Sequence, residues 1–299
     1  MNNRFQKLRI LLILLLAAIL IVQGCSSSEP MNNEEAAAPT NTASVSEPEA
    51  AEPAAPEQEE AAPASTEPLD TETLSNTTGK TLIRSFSKNK EPQYNASIAI
   101  VSESGTTIIA DPFAIPRDNG LVKTDIITVS HSHRDHYDTI FVTKANLAGV
   151  KASYHKEDQF TEKDVTVTGI PASHTSEAIN LERPSNVLYV YEVDGMRIAH
   201  LGDLGQDELH ADQLEKLGTI DILFTRFSNV ADFGASTDKT IKVLEQVKPK
   251  IVVPTHYEPE AVDVILEAAG ITDRSEADEL AITKDELAEI TETKYVFLK

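Results

Sequence analysis

Four side chains that can bind a metal ion occur within six residues of the sequence. They are His131, His133, Asp135 and His136, in the run HSHRDH. Imidazole and carboxylate groups are the usual ligands of zinc, manganese and iron in proteins. The chain has only eight histidines, so three of them in one short run are poorly explained as a solvated polar loop. The run therefore predicts a metal site.

The run follows a predicted apolar strand, Ile126–Val129. Side chains alternate along extended backbone, so His131 and His133 are expected to point the same way. Asp135 and His136 would lie on the turn into the next helix, where they could face a second metal.

Three further candidate ligands follow other predicted strands. His174 comes after Pro-Ala-Ser, Asp203 after Leu-Gly, and His256 after Pro-Thr. Loops at strand ends are where a rigid scaffold directs side chains into a cleft. An isolated histidine at a strand end is more often a hydrogen-bonding residue than a metal ligand, so each of these is weak evidence alone.

The order HxHxDH, His, Gly-Asp and Pro-x-His resembles the metallo-β-lactamase superfamily. More narrowly, it is similar to the bacterial branch of ascorbate-6-phosphate lactonase-like proteins and predicted metal-dependent hydrolases. The similarity spans Asn95 to Tyr257 and includes Asn-Ala-Ser at 95–97, Asp-Pro-Phe at 111–113 and Asp-Gly at 194–195. It implies an α/β fold, the four-layer αββα sandwich with two mixed β-sheets, with the metals at one edge between the sheets.

The resemblance also implies seven ligands for two divalent metal ions. Asp203 would bridge the two metals, and Asp111 would lie near them. The other ligands form two groups: His131, His133 and His174 for one metal, and Asp135, His136 and His256 for the other. Five of the seven are imidazoles, which favours zinc and leaves manganese and iron open.

Two neighbouring cations lower the pKa of a water bound between them. The resemblance therefore implies a hydrolase in which a metal-bridging hydroxide attacks an ester, a lactone or a phosphoester. Asp203 and Asp135 are the candidate catalytic residues, Asp203 holding the metal spacing and Asp135 accepting the proton of the water. True β-lactamases of the superfamily typically lack the bridging aspartate, which disfavours a β-lactam substrate. The alternative is a non-catalytic metal-dependent protein that binds or senses a ligand.

The segment 223–229 departs from the apolar-Pro-Gly-Gly-like loop that relatives often carry near the substrate. Its Arg226 could bind an anionic substrate, but a surface arginine is the slightly favoured interpretation. Among the remaining histidines, His200 is interpreted as a neighbour of the site. His155 and His210 are interpreted as surface residues.

Residues 1–24 are typical of a lipoprotein signal peptide. Three basic residues precede a 13-residue apolar run, Ile10–Val22, which is shorter than the roughly 20 residues of a membrane-spanning helix. The run ends at Val-Gln-Gly-Cys, which resembles a lipobox except at Gln23. Cys25, the sole cysteine, is therefore expected to carry lipid, palmitate included, and to anchor the chain on the extracytoplasmic face of the cell membrane. An uncleaved N-terminal anchor is the alternative.

Residues 25–78 are predicted to be a disordered linker, because they hold seven prolines and twelve acidic residues without a lysine or arginine. The folded domain is expected over residues 79–299. The chain carries a net charge of -22, of which -13 falls on that domain once the linker and the three N-terminal basic residues are set apart. An acidic domain repels phosphate backbones, so the expected partner is a small-molecule substrate and not a nucleic acid.

Turn signals place predicted hairpins over 97–110 and 187–199, around Ser-Gly and Asp-Gly steps. Short strands are also expected at 165–167 and 251–253. Apolar periodicity predicts helices over 207–217, 236–247 and 258–268. Strands that come first as hairpins and then alternate with helices indicate a layered α/β domain.

Overall fold

The computed structural model describes residues 74–85, 96–113, 115, 124–231 and 234–299. The expected signal peptide, Cys25 and most of the expected linker lie outside the described residues. Among the described residues, Leu74 is already buried, and Asn76 donates hydrogen bonds to the backbone carbonyls of Lys80 and Ser102. Within the described residues, no helix has the length and hydropathy needed to cross a membrane.

The strands of the described residues form two mixed sheets. They are β1 (Thr81–Ser85), β2 (Ile98–Val101), β3 (Thr107–Ala110), β4 (Ile126–Val129), β5 (Lys151–Tyr154), β6 (Asp158–Glu162), β7 (Val165–Ala172), β8 (Asn186–Val193), β9 (Met196–His200), β10 (Ile222–Phe227), β11 (Ile251–Tyr257), β12 (Arg274–Ala277), β13 (Leu280–Ile282) and β14 (Lys294–Leu298). The helices are α1 (Thr139–Leu147), α2 (Ala211–Leu217), α3 (Thr237–Val247), α4 (Pro259–Ala268) and α5 (Lys284–Ala288).

The first sheet has the order β13-β1-β2-β3-β4-β5, and the second has the order β12-β14-β11-β10-β9-β8-β7-β6. In the first sheet, β3, β4 and β5 are mutually parallel and the other pairs are antiparallel. In the second, β9, β10, β11, β14 and β12 are parallel, while β6 to β9 form an antiparallel meander. Because parallel strands end at the same edge of a sheet, each sheet has one edge where loops after several strands meet.

Three hydrophobic cores separate four layers. Alternate residues of each central strand face opposite sides: in β10, Phe224 faces the core between the sheets and Leu223 faces the core under α3 and α4. The third core lies between the first sheet and α1, where Ile127 meets Phe141. Helix, sheet, sheet and helices therefore stack in that order, which confirms the predicted αββα sandwich.

Both predicted hairpins are present, as β2–β3 and β8–β9. Ser236 and Glu258 are N-cap residues, so α3 and α4 begin one residue later than predicted. The prediction of a helix from Asp207 was wrong, because α2 begins at Ala211 after the N-cap His210. The strands β1, β5, β6 and β12 to β14 were not predicted, since strands of only three to five residues carry little periodic signal.

Candidate metal centre

The candidate ligands lie at the carboxyl ends of four strands, six of them on loops after β4, β7 and β9 and one near the end of β11. The run after β4 supplies His131 to His136, the loop after β7 supplies His174, and the loop after β9 supplies Asp203. His256 lies inside β11 and not in a loop after it, since that strand continues to Tyr257. The seven side chains, spread between positions 131 and 256 of the chain, meet in two adjacent clusters.

The first cluster comprises His131, His133, His174 and Asp203, whose ligand atoms all lie within 4.8 Å of one another. His131 Nε2 is 3.1 Å from His133 Nδ1. Asp203 Oδ2 is 3.3 Å from His174 Nε2 and 3.8 Å from His131 Nε2. Three imidazoles and one carboxylate oxygen thus converge on one point, as the ligands of a metal do.

The second cluster comprises Asp135, His136 and His256, again with ligand atoms within 4.8 Å of one another. The Nε2 atoms of His136 and His256 face each other at 2.8 Å, and Asp135 Oδ2 is 3.9 Å from His256 Nε2. His136 is fully buried, whereas Asp135 is partly exposed.

Asp203 lies between the two clusters. Its Oδ2 faces the first cluster, and its Oδ1 lies 3.4 Å from His136 Nε2 and 3.3 Å from His256 Nε2. The backbone N–H of Asp203 donates to Asn186 Oδ1, and Asn186 Nδ2 donates to the Leu201 carbonyl. At Gly202, with φ +53°, an added Cβ would lie 2.5 Å from Asn186 Oδ1. The tight Gly-Asp turn therefore requires glycine before the shared carboxylate.

Asp111 organises the buried side of the centre. Its Oδ2 accepts hydrogen bonds from His136 Nδ1 at 2.6 Å and from Ser130 Oγ at 2.7 Å, and its Oδ1 accepts from the Ser130 backbone N–H. Because the Ser130 hydroxyl donates to Asp111, its oxygen accepts from His131 Nδ1 at 3.0 Å. Both histidines thus direct an Nε2 toward the clusters, the arrangement by which a carboxylate orients metal-binding imidazoles.

Ser130 and Asn186 were not among the sequence predictions. A serine before the histidine run and an asparagine opening an apolar strand are common residue types, so neither position carried a signal. His200 lies behind Asp111, as the sequence interpretation placed it: its Nε2 donates to the Ala96 carbonyl, and its Nδ1 is 3.7 Å from Asp111 Oδ2.

The electrostatics favour positive charge at the centre. Burial alone would lower the pKa of His136, but the carboxylates of Asp203 and Asp111 outweigh it and raise that pKa to about 10. Burial would raise the pKa of Asp203, but His256 and His136 hold it well below its ordinary value. Burial and the neighbouring charge of His136 together lower the pKa of His131 to about 2. A positive charge on His131 is thus disfavoured next to the positive charge on His136.

The donor set fits divalent metal ions. Two solvent-shielded atoms, Asp203 Oδ1 and His174 Nε2, have no hydrogen-bond partner of good geometry among the described residues. A buried polar atom without a partner costs about 1–3 kcal/mol, and one metal ion at each cluster would satisfy these two atoms. Five imidazoles and two carboxylates suit zinc, manganese or iron.

Two residues of the centre have a left-handed backbone that non-glycine residues seldom adopt: Asp111 at φ +46° and His256 at φ +37°. Such conformations persist where the surrounding structure over-determines them, and they are concentrated at functional sites. Here they direct an anchoring carboxylate and a candidate ligand into the second cluster.

A cavity of about 520 Å³ opens beside the first cluster. It is lined by His131, Ser132, His133, His155, His174, Thr175, Pro184 and Ser185. His155, interpreted as a surface residue, is partly buried and lines this cavity: it follows β5, which is parallel to β4, so it lies at the same sheet edge as the histidine run. His210 is exposed, as interpreted.

The interpretation of Arg226 as a surface residue was also wrong. Segment 222–227 is the central strand β10, and Arg226 is only 5 % exposed. Its Nη1 lies 3.7 Å from Asp203 Oδ2, so its charge acts on the shared carboxylate. A strand with two aromatic residues, a threonine and an arginine has no clear period, which is why the arginine was placed at the surface.

Comparisons with known proteins agree with this geometry. A family model described as the beta-lactamase superfamily domain matches residues 94–256, more than half of the chain. A UPF0173 metal-dependent hydrolase of Archaeoglobus fulgidus is 25% identical over 188 residues, covering 53% of this chain and 79% of that protein. A relative of the same description from Thermococcus kodakarensis is 28% identical over 184 residues, covering 53% and 80%.

The fold has a counterpart in a crystal structure. A Thermotoga maritima protein of the metallo-β-lactamase superfamily matches with a TM-score of 0.52 and 24% identity, over 73% of this chain and 98% of that protein. The chain therefore belongs to the beta-lactamase superfamily, and it is a metal-dependent hydrolase with the metallo-β-lactamase fold.

Proposed function

We propose that the protein is a dinuclear hydrolase that cleaves an ester, a lactone or a phosphoester. The observation that carries this proposal is the position of Asp203, whose two carboxylate oxygens face different clusters of candidate ligands. A carboxylate placed in this way suits two metals that share one ligand. His131, His133 and His174 would hold one metal, and Asp135, His136 and His256 the other.

Two divalent metals, when bound, would make a water nucleophilic near neutral pH and polarise the bond that it attacks. Asp135 is the partly exposed carboxylate of the site, so it is suited to accept the proton of that water. Asp203 is buried, and its backbone N–H donates to Asn186. Its carboxylate is therefore suited to fix the distance between the two metals. The cavity beside the first cluster would hold the substrate.

The proposed metals are zinc, with manganese or iron as alternatives. The similarity to ascorbate-6-phosphate lactonase-like proteins is the reason to include lactones among the substrates. The acidic domain supports a small-molecule substrate over a nucleic acid.

We further propose that Cys25 is lipidated after removal of residues 1–24, and that residues 25–78 tether the domain to the extracytoplasmic face of the membrane. The apolar run and the Val-Gln-Gly-Cys motif support this. Wild-type protein should partition with membranes, and Cys25→Ala should abolish lipid labelling. Equal labelling of both would overturn the proposed anchor.

The hydrolase proposal is tested on the soluble domain loaded with zinc, manganese or iron. We expect about two metals per chain by elemental analysis, and turnover of at least one class in a panel of esters, lactones and phosphodiesters. Two bound metals and tight binding of a panel compound without any turnover would instead support a non-catalytic ligand-binding protein. Fewer than about one metal per chain, unchanged in His131→Ala and His256→Ala, would contradict the site, because such sites bind metal through these side chains.

A further inference from the structure

Lys239 joins three loops that meet at the first cluster. Its Nζ donates to the Gly205 carbonyl at 2.6 Å, to the Gly234 carbonyl at 3.2 Å and to Ser176 Oγ at 3.1 Å. It also lies 3.3 Å from Asp207 Oδ1. The ammonium group thus uses its donors on three segments: one after β7, one after β9 and one before α3.

Two of these segments carry candidate ligands. Ser176 is two residues after His174, and Gly205 is two residues after Asp203. The segments are in close backbone contact, because Gly205 N–H donates to the Ser173 carbonyl at 2.9 Å and a Cβ on Gly205 would lie 1.9 Å from the His174 carbonyl oxygen. A Cβ on Gly234 would lie 2.7 Å from the same oxygen.

Lys239 is itself held in place. It lies in the first turn of α3, whose N-cap Ser236 accepts a hydrogen bond from the Lys239 backbone N–H. The helix packs on the second sheet through Val243 and Leu244. The side chain is 20% exposed and extends from this rigid helix to the loops.

We propose that Lys239 is a positioning residue of the metal centre, which holds His174 and Asp203 in place for the metal at the first cluster. This inference rests on the proposed dinuclear function. The second cluster is held by other contacts: Asp111 orients His136, and Glu258, next to β11, accepts hydrogen bonds from Ser228 and Asn229. Loss of the Lys239 contacts should therefore weaken binding of the metal at the first cluster. Binding at the second cluster should change little, because only the shared Asp203 connects it to Lys239.

Lys239→Met keeps the length of the side chain and removes its charge and donors. We expect it to weaken binding of one zinc ion by roughly tenfold or more, the range that partners of metal ligands typically show, while the other ion stays within about twofold. Zinc affinities are measured by titration of the metal-free protein against a competing chelator, and the stoichiometry is checked by elemental analysis. At the lowest free zinc concentration that saturates the wild type, Lys239→Met should retain about one zinc ion per chain, as we also expect for His174→Ala.

The matched control is Lys242→Met, one turn further along α3. Lys242 pairs with Glu208 at 3.2 Å, but both side chains are about half exposed, and exposed pairs contribute little. This variant should bind two zinc ions as the wild type does. If Lys239→Met does not fold, Lys239→Arg keeps the charge but cannot place one nitrogen against all three oxygens, and it should show the same one-sided loss.

Two zinc ions bound with wild-type affinities in Lys239→Met would overturn the inference, and so would an equal weakening of both ions, which indicates a general loss of stability. A wild-type protein that binds fewer than two zinc ions would count against the dinuclear function instead. The failures of the two proposals are therefore distinguishable.

Discussion

The two clusters of candidate ligands differ in what holds them. In the second, His136 is fully buried and hydrogen-bonded to Asp111, while His256 belongs to a central strand. In the first, His133 is exposed and His174 lies on a loop beside the cavity. The imidazoles of the second cluster are thus fixed by a buried carboxylate and by a strand, whereas the three imidazoles of the first cluster line the cavity.

This difference indicates separate tasks within one centre. A buried cluster with fixed imidazoles is suited to a permanently bound metal, because its ligands lose little conformational freedom on binding. An open cluster next to a cavity is suited to contact with the substrate, but its loops must be held by other residues. The substitutions below should separate the clusters, or show that they act as one unit.

The largest effect is expected for Asp203→Ala, which removes the carboxylate shared by both clusters. Activity should fall by about 10³-fold or more, since residues that act as a unit in a site fail together. Elemental analysis should show loss of metal from both clusters. Asp212→Ala, an exposed carboxylate in the first turn of α2, is the control. Retention of two tightly bound metals would contradict a shared ligand.

Asp111→Asn should act on the second cluster. Asparagine has the same shape and tolerates the left-handed backbone at φ +46°, so the substitution mainly removes the charge that accepts from His136 and Ser130. Metal affinity of the second cluster should fall by about 10–100-fold, while the first changes less. Competition titration with zinc measures both affinities. A larger loss of zinc affinity at the first cluster would contradict this, and would show that Asp111 acts mainly on His131 through Ser130.

Gly205→Ala should act on the first cluster with a smaller effect. Its φ is not positive, so the cost comes from the clash of the new Cβ with the His174 carbonyl. Overpacking of this kind destabilises by about 1–3 kcal/mol, and His174 should be displaced from its metal. Thermal unfolding and zinc titration measure the two effects. Gly149→Ala, where no atom lies within 4 Å of the new Cβ, should leave zinc binding unchanged despite its strained φ.

The run HSHRDH shows how much of the site can be predicted from local sequence. His131, His133, Asp135 and His136 were predicted as metal-binding from type and spacing, because four such groups in six residues seldom occur without a shared role. Their division between two clusters was implied by family resemblance, and the geometry is consistent with it. The layered α/β class was also predictable, from hairpins followed by strands that alternate with helices, whereas the four-layer sandwich was implied by the family resemblance.

Arg226, His155 and Lys239 mark where local sequence stops being informative. Each is a polar residue whose neighbours in the chain carry no signal, and each was assigned to the surface or given no role. Burial of Arg226 depends on β10 lying between β9 and β11, and the place of His155 depends on β5 lying parallel to β4. Such pairings join residues far apart in the chain, so no local pattern encodes them.

The sequence by itself thus determined the chemistry: which residue types can bind metal, and that they follow strands. Family resemblance implied that Asp203 is shared and that Asp111 lies near the metals, but only the tertiary structure decided the contacts: which oxygen of Asp203 faces which cluster, that Asp111 binds His136, and that Lys239 binds the loops of the first cluster. The physical reason is that residue types and periodicity are local properties of the chain. Distances between loops are set only when the two sheets bury their shared core and bring their edges together.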